Sequence, residues 1–116
     1  MSDFEELLKL LEDFRDERDW GQFHDSKNLA LALSIEAAEL NELFLWKKEV
    51  EAEEVDPQRL REELADVFAY AIMLAGRHGL SINEIVKAKI EKNAKKYPVE
   101  KSRGNFQKHQ QLKSEE

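Results

Sequence analysis

The chain has 116 residues, enough for one domain with a modest core. It contains no cysteine, which excludes disulfides and thiolate metal sites. Its net charge of −7 and pI near 5.1 argue against a nucleic-acid partner held on a basic surface.

No apolar run reaches the roughly eighteen residues of a membrane span, and no basic-then-apolar leader opens the sequence, so a soluble, unprocessed, cytoplasmic protein with no membrane partner is expected. Positive charge is uneven. Lys87, Lys89, Lys92, Lys95, Lys96, Lys101, Arg103 and Lys108 crowd the last third, whereas the earlier two-thirds are acidic. That pairing suits a polyanionic ligand carried with a divalent cation.

The periodicity predicts four helices and no strand. Ser2 caps the first, with Glu5 three residues on. Phe4, Leu7, Leu8, Leu11 and Phe14 recur at helical spacing until Trp20 and Gly21 end the helix near Asp19. Ser26 is the expected cap of a second helix reaching about Lys48. An acidic linker spans 50–55. Asp56 and Pro57 then open a third helix, which Gly79 closes after His78. Ser81 with Glu84 is a further capping box, and Pro98 stops the fourth helix. Residues 1–98 therefore read as one helical domain and 99–116 as a polar, mobile tail, with Arg103 and Phe106 its only anchors.

The second helix carries an oddity. At about 100° per residue, Leu29, Leu33, Leu40, Leu43 and Phe44 share an arc of roughly 100°, and Glu36 points into its middle with Glu39 at its edge. A carboxylate aimed at a core must be paired, protonated or bound to a cation. The third helix repeats the spacing with Glu63 and Asp66, followed by Tyr70. Members of an i, i+3 pair project from one face. Four hard oxygen ligands without histidine or cysteine favour Mg²⁺, with Mn²⁺ the alternative, over zinc. Ordinary salt-bridge carboxylates would not place Glu36 in mid-stripe, and a ferritin-like di-iron bundle would require Glu-x-x-His pairs. On the fourth helix Lys89 and Asn93 share the apolar face of Ile82, Ile85, Val86, Ile90 and Tyr97, as groups placed for phosphate and sugar. Trp20 and Trp46 are the aromatic rings a base would need.

Helices two and three are apolar on more than one face. Leu31, Ile35, Ala38, Leu45 and Trp46 form the far side of one. Ala65, Ala69, Ile72, Met73 and Gly76 form the far side of the other. One small bundle cannot bury both, so an oligomer is expected, with Ala69 and Gly76 permitting close approach.

Glu36 and Glu39, 23 intervening residues, then Glu63 and Asp66 resemble the E-x-x-E…E-x-x-D signature of the MazG-like, all-α nucleoside triphosphate pyrophosphohydrolases. The segments Glu17 to His24, Leu43 to Lys47 and Lys92 to Pro98 are similar to the dCTP pyrophosphatase branch. The resemblance covers about residues 4–106. It implies a four-helix-bundle protomer in a homotetramer built from dimers. It also implies hydrolysis of a nucleoside triphosphate, dCTP or a modified dCTP, to monophosphate and pyrophosphate. Glu36, Glu39, Glu63 and Asp66 would hold Mg²⁺ and serve catalysis. Trp20 and Trp46 would flank the base, and Tyr70 and Asn93 would hold base or sugar. Tyr97 would join the substrate contacts, and Lys89 and Lys96 would face phosphate. Where that branch has a histidine near the base, in the first helix, this chain has Leu11. A dUTP-specific all-α relative and a non-catalytic helical interaction module are the competing readings.

Overall fold

The apolar stripes fold as helices, and no strand occurs among the described residues, 2–104 of the computed structural model. Helix α1 (Asp3–Glu17) starts at Ser2, whose hydroxyl accepts from the Glu5 N–H at 3.2 Å. It ends with Asp19 in the left-handed region, φ 56°. The N–H groups of Asp19 and Trp20 turn back to the carbonyls of Asp16 and Arg15 at 3.1 and 3.0 Å. This closure satisfies two carbonyls that a helix end otherwise leaves open.

A 3-10 turn (Gly21–Phe23) leads to α2 (Ser26–Glu42). Its cap is Asp25, not Ser26: the Asp25 carboxylate accepts from the Asn28 N–H at 2.8 Å. Helix α2 also stops short of Lys48. The N–H groups of Leu43, Phe44 and Leu45 bond three residues back, to Leu40, Asn41 and Glu42, at 3.2, 3.0 and 3.3 Å. The tightened turn runs into Trp46 at φ 62°, which no α-helix accommodates.

The acidic linker contains a single helical turn, α3 (Glu49–Ala52). Helix α4 (Pro57–Arg77) follows, capped by Asp56 through the Gln58 N–H at 3.1 Å. It closes at Gly79, φ 66°, with the Gly79 and Leu80 N–H groups bonded to Gly76 and Ala75. Helix α5 (Ile82–Lys96) and the short α6 (Val99–Ser102) complete the described chain. The expected tail thus begins with a helical turn, and Phe106 lies outside the described residues.

The chain divides into two compact units, one ending at Ser81 and the other beginning at Ile82. In the first, α4 is central, packing along α2 and less extensively against α1. Among the described residues, Leu29 of α2, Leu43 at its C-cap, and Ile72, Met73 and Ala75 of α4 are the buried apolar residues. The sequence reading set Ile72, Met73 and Gly76 on an outer face of the third helix. They instead face inward, while Leu64 and Phe68 are exposed. Gly76 serves contact within the chain. A Cβ there would lie 2.6 Å from a Leu8 methyl carbon on α1, closer than carbon atoms pack.

Gly76→Val should therefore wedge α1 away from α4 and destabilise the protein by about 2 kcal/mol, the usual scale of overpacking. Denaturant unfolding of the purified variant measures this directly. A stability within error of wild type would show that α1 and α4 do not approach this closely in solution.

Candidate active site

Helix α2 supplies Glu36 and Glu39 one turn apart, and its neighbour α4 supplies Glu63. One carboxylate oxygen from each lies within 4.8 Å of the others. All three side chains are half-buried. The Oε2 atoms of Glu36 and Glu63 are buried with no hydrogen-bond partner. Buried acceptors without partners are costly, and hard oxygens in this arrangement fit a divalent cation. The acidic cluster is thus able to bind a metal ion.

The electrostatics carry the signature of crowded like charges. Burial, then hydrogen bonding and repulsion from Glu39, and the charges of Asp66 and Glu63 push the Glu36 carboxyl up to about 7. Burial and the same neighbours, Glu39 and Asp66, also raise Glu63, with Arg59 opposing. Asp66, one turn beyond Glu63, is exposed and stands outside the group of three. Its charge nevertheless acts on Glu36, Glu63 and Tyr70.

Asp66 also lines a cavity of about 150 Å³ in the same unit. Leu11, Phe14 and Arg15 of α1 form one wall of it. Ala69, Tyr70 and Met73 of α4, with Trp20 and His24 from the connecting segment, form the rest. Trp20 meets Phe14 edge to face at 5.9 Å, and the Arg18 guanidinium carbon lies 3.5 Å from the centroid of the Phe14 ring. His24 meets Tyr70 edge to face at 6.3 Å. The His24 carbonyl accepts from Arg77 at 3.3 Å, and the Phe23 carbonyl accepts from Asn28 at 3.2 Å. These bonds fix the segment that carries Trp20 and His24. Burial, reinforced by the charge of Arg15, lowers the His24 pKa, so its imidazole is neutral at pH 7 and its Nδ1 is buried without a partner. Burial and the charges of Glu36, Asp66 and Glu39 raise the Tyr70 hydroxyl.

Of the residues singled out in the sequence, Glu36, Glu39 and Glu63 are brought together. Trp20, Tyr70 and Asp66 share the adjoining cavity. Trp46 is not among the residues lining that cavity and is 97% exposed. Lys89, Asn93 and Lys96 lie on α5, with Tyr97 just after it, in the second unit. Lys89 is exposed and the other three are half-buried. Sequence reasoning missed Arg15 and His24 as cavity residues. Arg15 was detectable by the criterion that exposed Glu36, for it follows Leu11 by one helical turn on the apolar stripe of α1.

These features define a class: an all-helical protein with a carboxylate cluster suited to a hard cation, beside a small aromatic-walled cavity. The MazG-like family profile matches residues 31–112, and the chain belongs to that family. It is 40% identical to dCTP pyrophosphatase 1 of Bos taurus, over 93% of this chain and 67% of that protein. It is 41% identical to dCTP pyrophosphatase 1 of Mus musculus, over 93% of this chain and 66% of that one. The chain thus spans about two-thirds of the length of these curated relatives. The crystal structure of a pyrophosphatase from Archaeoglobus fulgidus superposes with a TM-score of 0.78 at 43% identity. That match covers 84% of this chain and 94% of the archaeal one. Among the described residues, no helix is long and apolar enough to cross a membrane.

The raised carboxyls set the pH dependence of the metal-free protein. A folded state that holds protons more tightly than the unfolded chain loses stability as pH rises through the interval between the two pKa values. For Glu36 that interval runs from 4.5 to about 7. The metal-free Tm should fall by on the order of 5 °C from about pH 5 to about pH 8. Glu36→Gln should flatten the decline. Calorimetry in a chelating buffer checks this, and a flat wild-type profile would mean the carboxylates are not crowded in solution.

Proposed function

We propose that this chain is a Mg²⁺-dependent nucleoside triphosphate pyrophosphohydrolase that converts dCTP, or a modified dCTP, to the monophosphate and pyrophosphate. It would act in the cytoplasm as a house-cleaning enzyme of the nucleotide pool. The observation that carries the reading is the adjacency of a three-carboxylate cluster and a one-ring cavity, with Asp66 lining the cavity and acting by its charge on Glu36 and Glu63. The curated relatives named dCTP pyrophosphatase 1 and the archaeal pyrophosphatase support it.

Glu36, Glu39, Glu63 and Asp66 would hold Mg²⁺, or Mn²⁺ as the alternative, because an all-oxygen set suits those ions. When bound, such an ion offsets the charge of the triphosphate and acidifies a water. The chain's own residues do the remaining work. Glu36 and Glu39 are the candidates for accepting the proton of the attacking water. Attack at the α-phosphorus breaks its bond to the bridging oxygen and releases pyrophosphate. Trp20 and Tyr70 hold the base in the cavity, whose volume of about 150 Å³ matches that of engineered apolar cavities that bind benzene. A single-ring pyrimidine fits that size. Lys89 and Lys96 take phosphate contacts, and Asn93 and Tyr97 contact base or sugar.

We assign residues 1–98 to a four-helix-bundle protomer, residues 99–116 to a polar tail, and the working enzyme to a tetramer built from dimers. Exposed apolar side chains support assembly: Leu31 is 55% exposed, Ile35 49%, Phe68 54% and Ile90 61%. Such surfaces on a soluble protein mark interaction sites. In such an assembly Trp46 of a neighbouring subunit would complete the base pocket.

A pyrophosphate-release assay with each dNTP should show Mg²⁺-dependent pyrophosphate from dCTP. Orthophosphate as the sole inorganic product, or full activity in excess chelator, would overturn the assignment. Glu36→Gln and Asp66→Asn should each lower turnover by about 100-fold or more, since losing even outer-shell support of a metal costs 10- to 100-fold.

Base–aromatic stacking is worth about 1–3 kcal/mol. Trp20→Ala should therefore raise KM for dCTP by roughly ten-fold, as steady-state kinetics would show. An unchanged KM would place the base elsewhere.

A further inference from the structure

The cavity walls are mostly apolar, and Arg15 is the one cationic side chain that lines them while His24 is neutral. Its side chain is only 24% exposed. The guanidinium is held in place by acidic neighbours: Nε donates to Asp16 Oδ1 at 2.9 Å, and Nη2 is 3.9 Å from Glu12. Asp16 and Glu12 are themselves 63% and 44% exposed, so they restrain the group from the solvent side. Nη1 takes part in neither contact. Arg15 is also close enough to His24, on the opposite wall, for its charge to act on that ring. The result is a fork of donors, tethered through Nε, at the edge of a space sized for one ring.

We propose that Arg15 is a specificity-determining residue of the cavity, its terminal nitrogens donating to the adjacent ring-nitrogen and carbonyl acceptors, N3 and O2, of a cytosine base. The inference rests on the reading above that this cavity receives the base. A guanidinium pairs best with two neighbouring acceptors, as it does with O6 and N7 of guanine in DNA. Cytosine presents such an edge. Uracil and thymine carry an N–H at N3, which would meet the guanidinium donor to donor. The pre-held geometry matters because a lysine offers a point charge without the planar fork.

The test uses the full chain and three monophosphates, dCMP, dUMP and dTMP, in isothermal titrations with wild type, Arg15→Met and Arg15→Lys. Methionine retains much of the aliphatic stem, so packing loss is limited. If that variant fails to fold, the lysine variant decides. Wild type should prefer dCMP over dUMP and dTMP by about ten-fold or more, the discrimination one two-point contact gives. Both variants should bring the three ligands to near parity. With dCTP as substrate, KM should rise by about ten-fold with kcat little changed. Equal weakening for all three ligands, a preference unchanged by substitution, or no preference in wild type would each overturn the proposal. Arg15-dependent selection of dCMP by a protein that hydrolyses no triphosphate would overturn the proposed function and leave this inference standing. Hydrolysis of dCTP with an unaltered base preference in both variants would do the reverse.

Discussion

Like charges held together between two packed helices set the terms for the rest of the first unit. Leu29 of α2 and Leu43 at its C-cap, both buried, lie seven residues before and seven after Glu36. Seven residues are close to two full turns, so the leucines and the carboxylate share one side of the helix. The side chains that draw α2 onto α4 therefore carry Glu36 toward Glu63. The buried atoms on α4, from Ile72, Met73 and Ala75, lie two or more turns beyond Glu63 and hold the contact at a distance from the charges. Apolar attraction at the ends of the interface opposes carboxylate repulsion in its middle. The raised Glu36 and Glu63 carboxyls express that opposition in protonation.

Most of this was legible in the sequence where a residue type contradicted its position. Glu36 announced itself by sitting among leucines, and Asp56 with Pro57 fixed the start of α4 because both have a mechanical reason to be there. Gly79 marked the end of that helix for the same kind of reason. The reading failed where periodicity offered no contradiction. Helix α4 is apolar on two sides, so the pattern could not say whether Leu64 or Ile72 faces inward. That choice depends on where α1 and α2 lie. Gly76 looked like a place for another subunit, yet its missing side chain makes room for Leu8. The end of α2 was misplaced because Leu45 and Trp46 continue an apolar run, and nothing in composition reveals the tightened turn that precedes Trp46. Arg15 drew no notice, although it lies one turn beyond Leu11 on the apolar stripe of α1.

The cavity and the cluster divide the chemistry between them. Net negative charge is concentrated where α2 faces α4, whereas the cavity pairs aromatic rings with a neutral imidazole and a guanidinium. Asp66 lines the cavity and lies outside the group of three carboxylates. It is exposed, and it acts on Glu36, Glu63 and Tyr70 alike. A change of charge at Asp66 is therefore felt both at the carboxylates and at the cavity wall.

The two tryptophans differ in exposure, and the chain has no others. Trp20 leans on Phe14 at the cavity wall, and Trp46 stands 97% exposed on a left-handed turn. The molecule therefore carries two intrinsic fluorophores with different reporting duties. Emission from Trp46 should be red-shifted and readily quenched by small solutes. Emission from Trp20, 44% exposed, should be bluer, partly shielded by Phe14, and responsive to whatever enters the cavity. Replacing either ring with phenylalanine would leave a one-colour sensor, for the cavity in one case and for burial of the α2 terminus in the other.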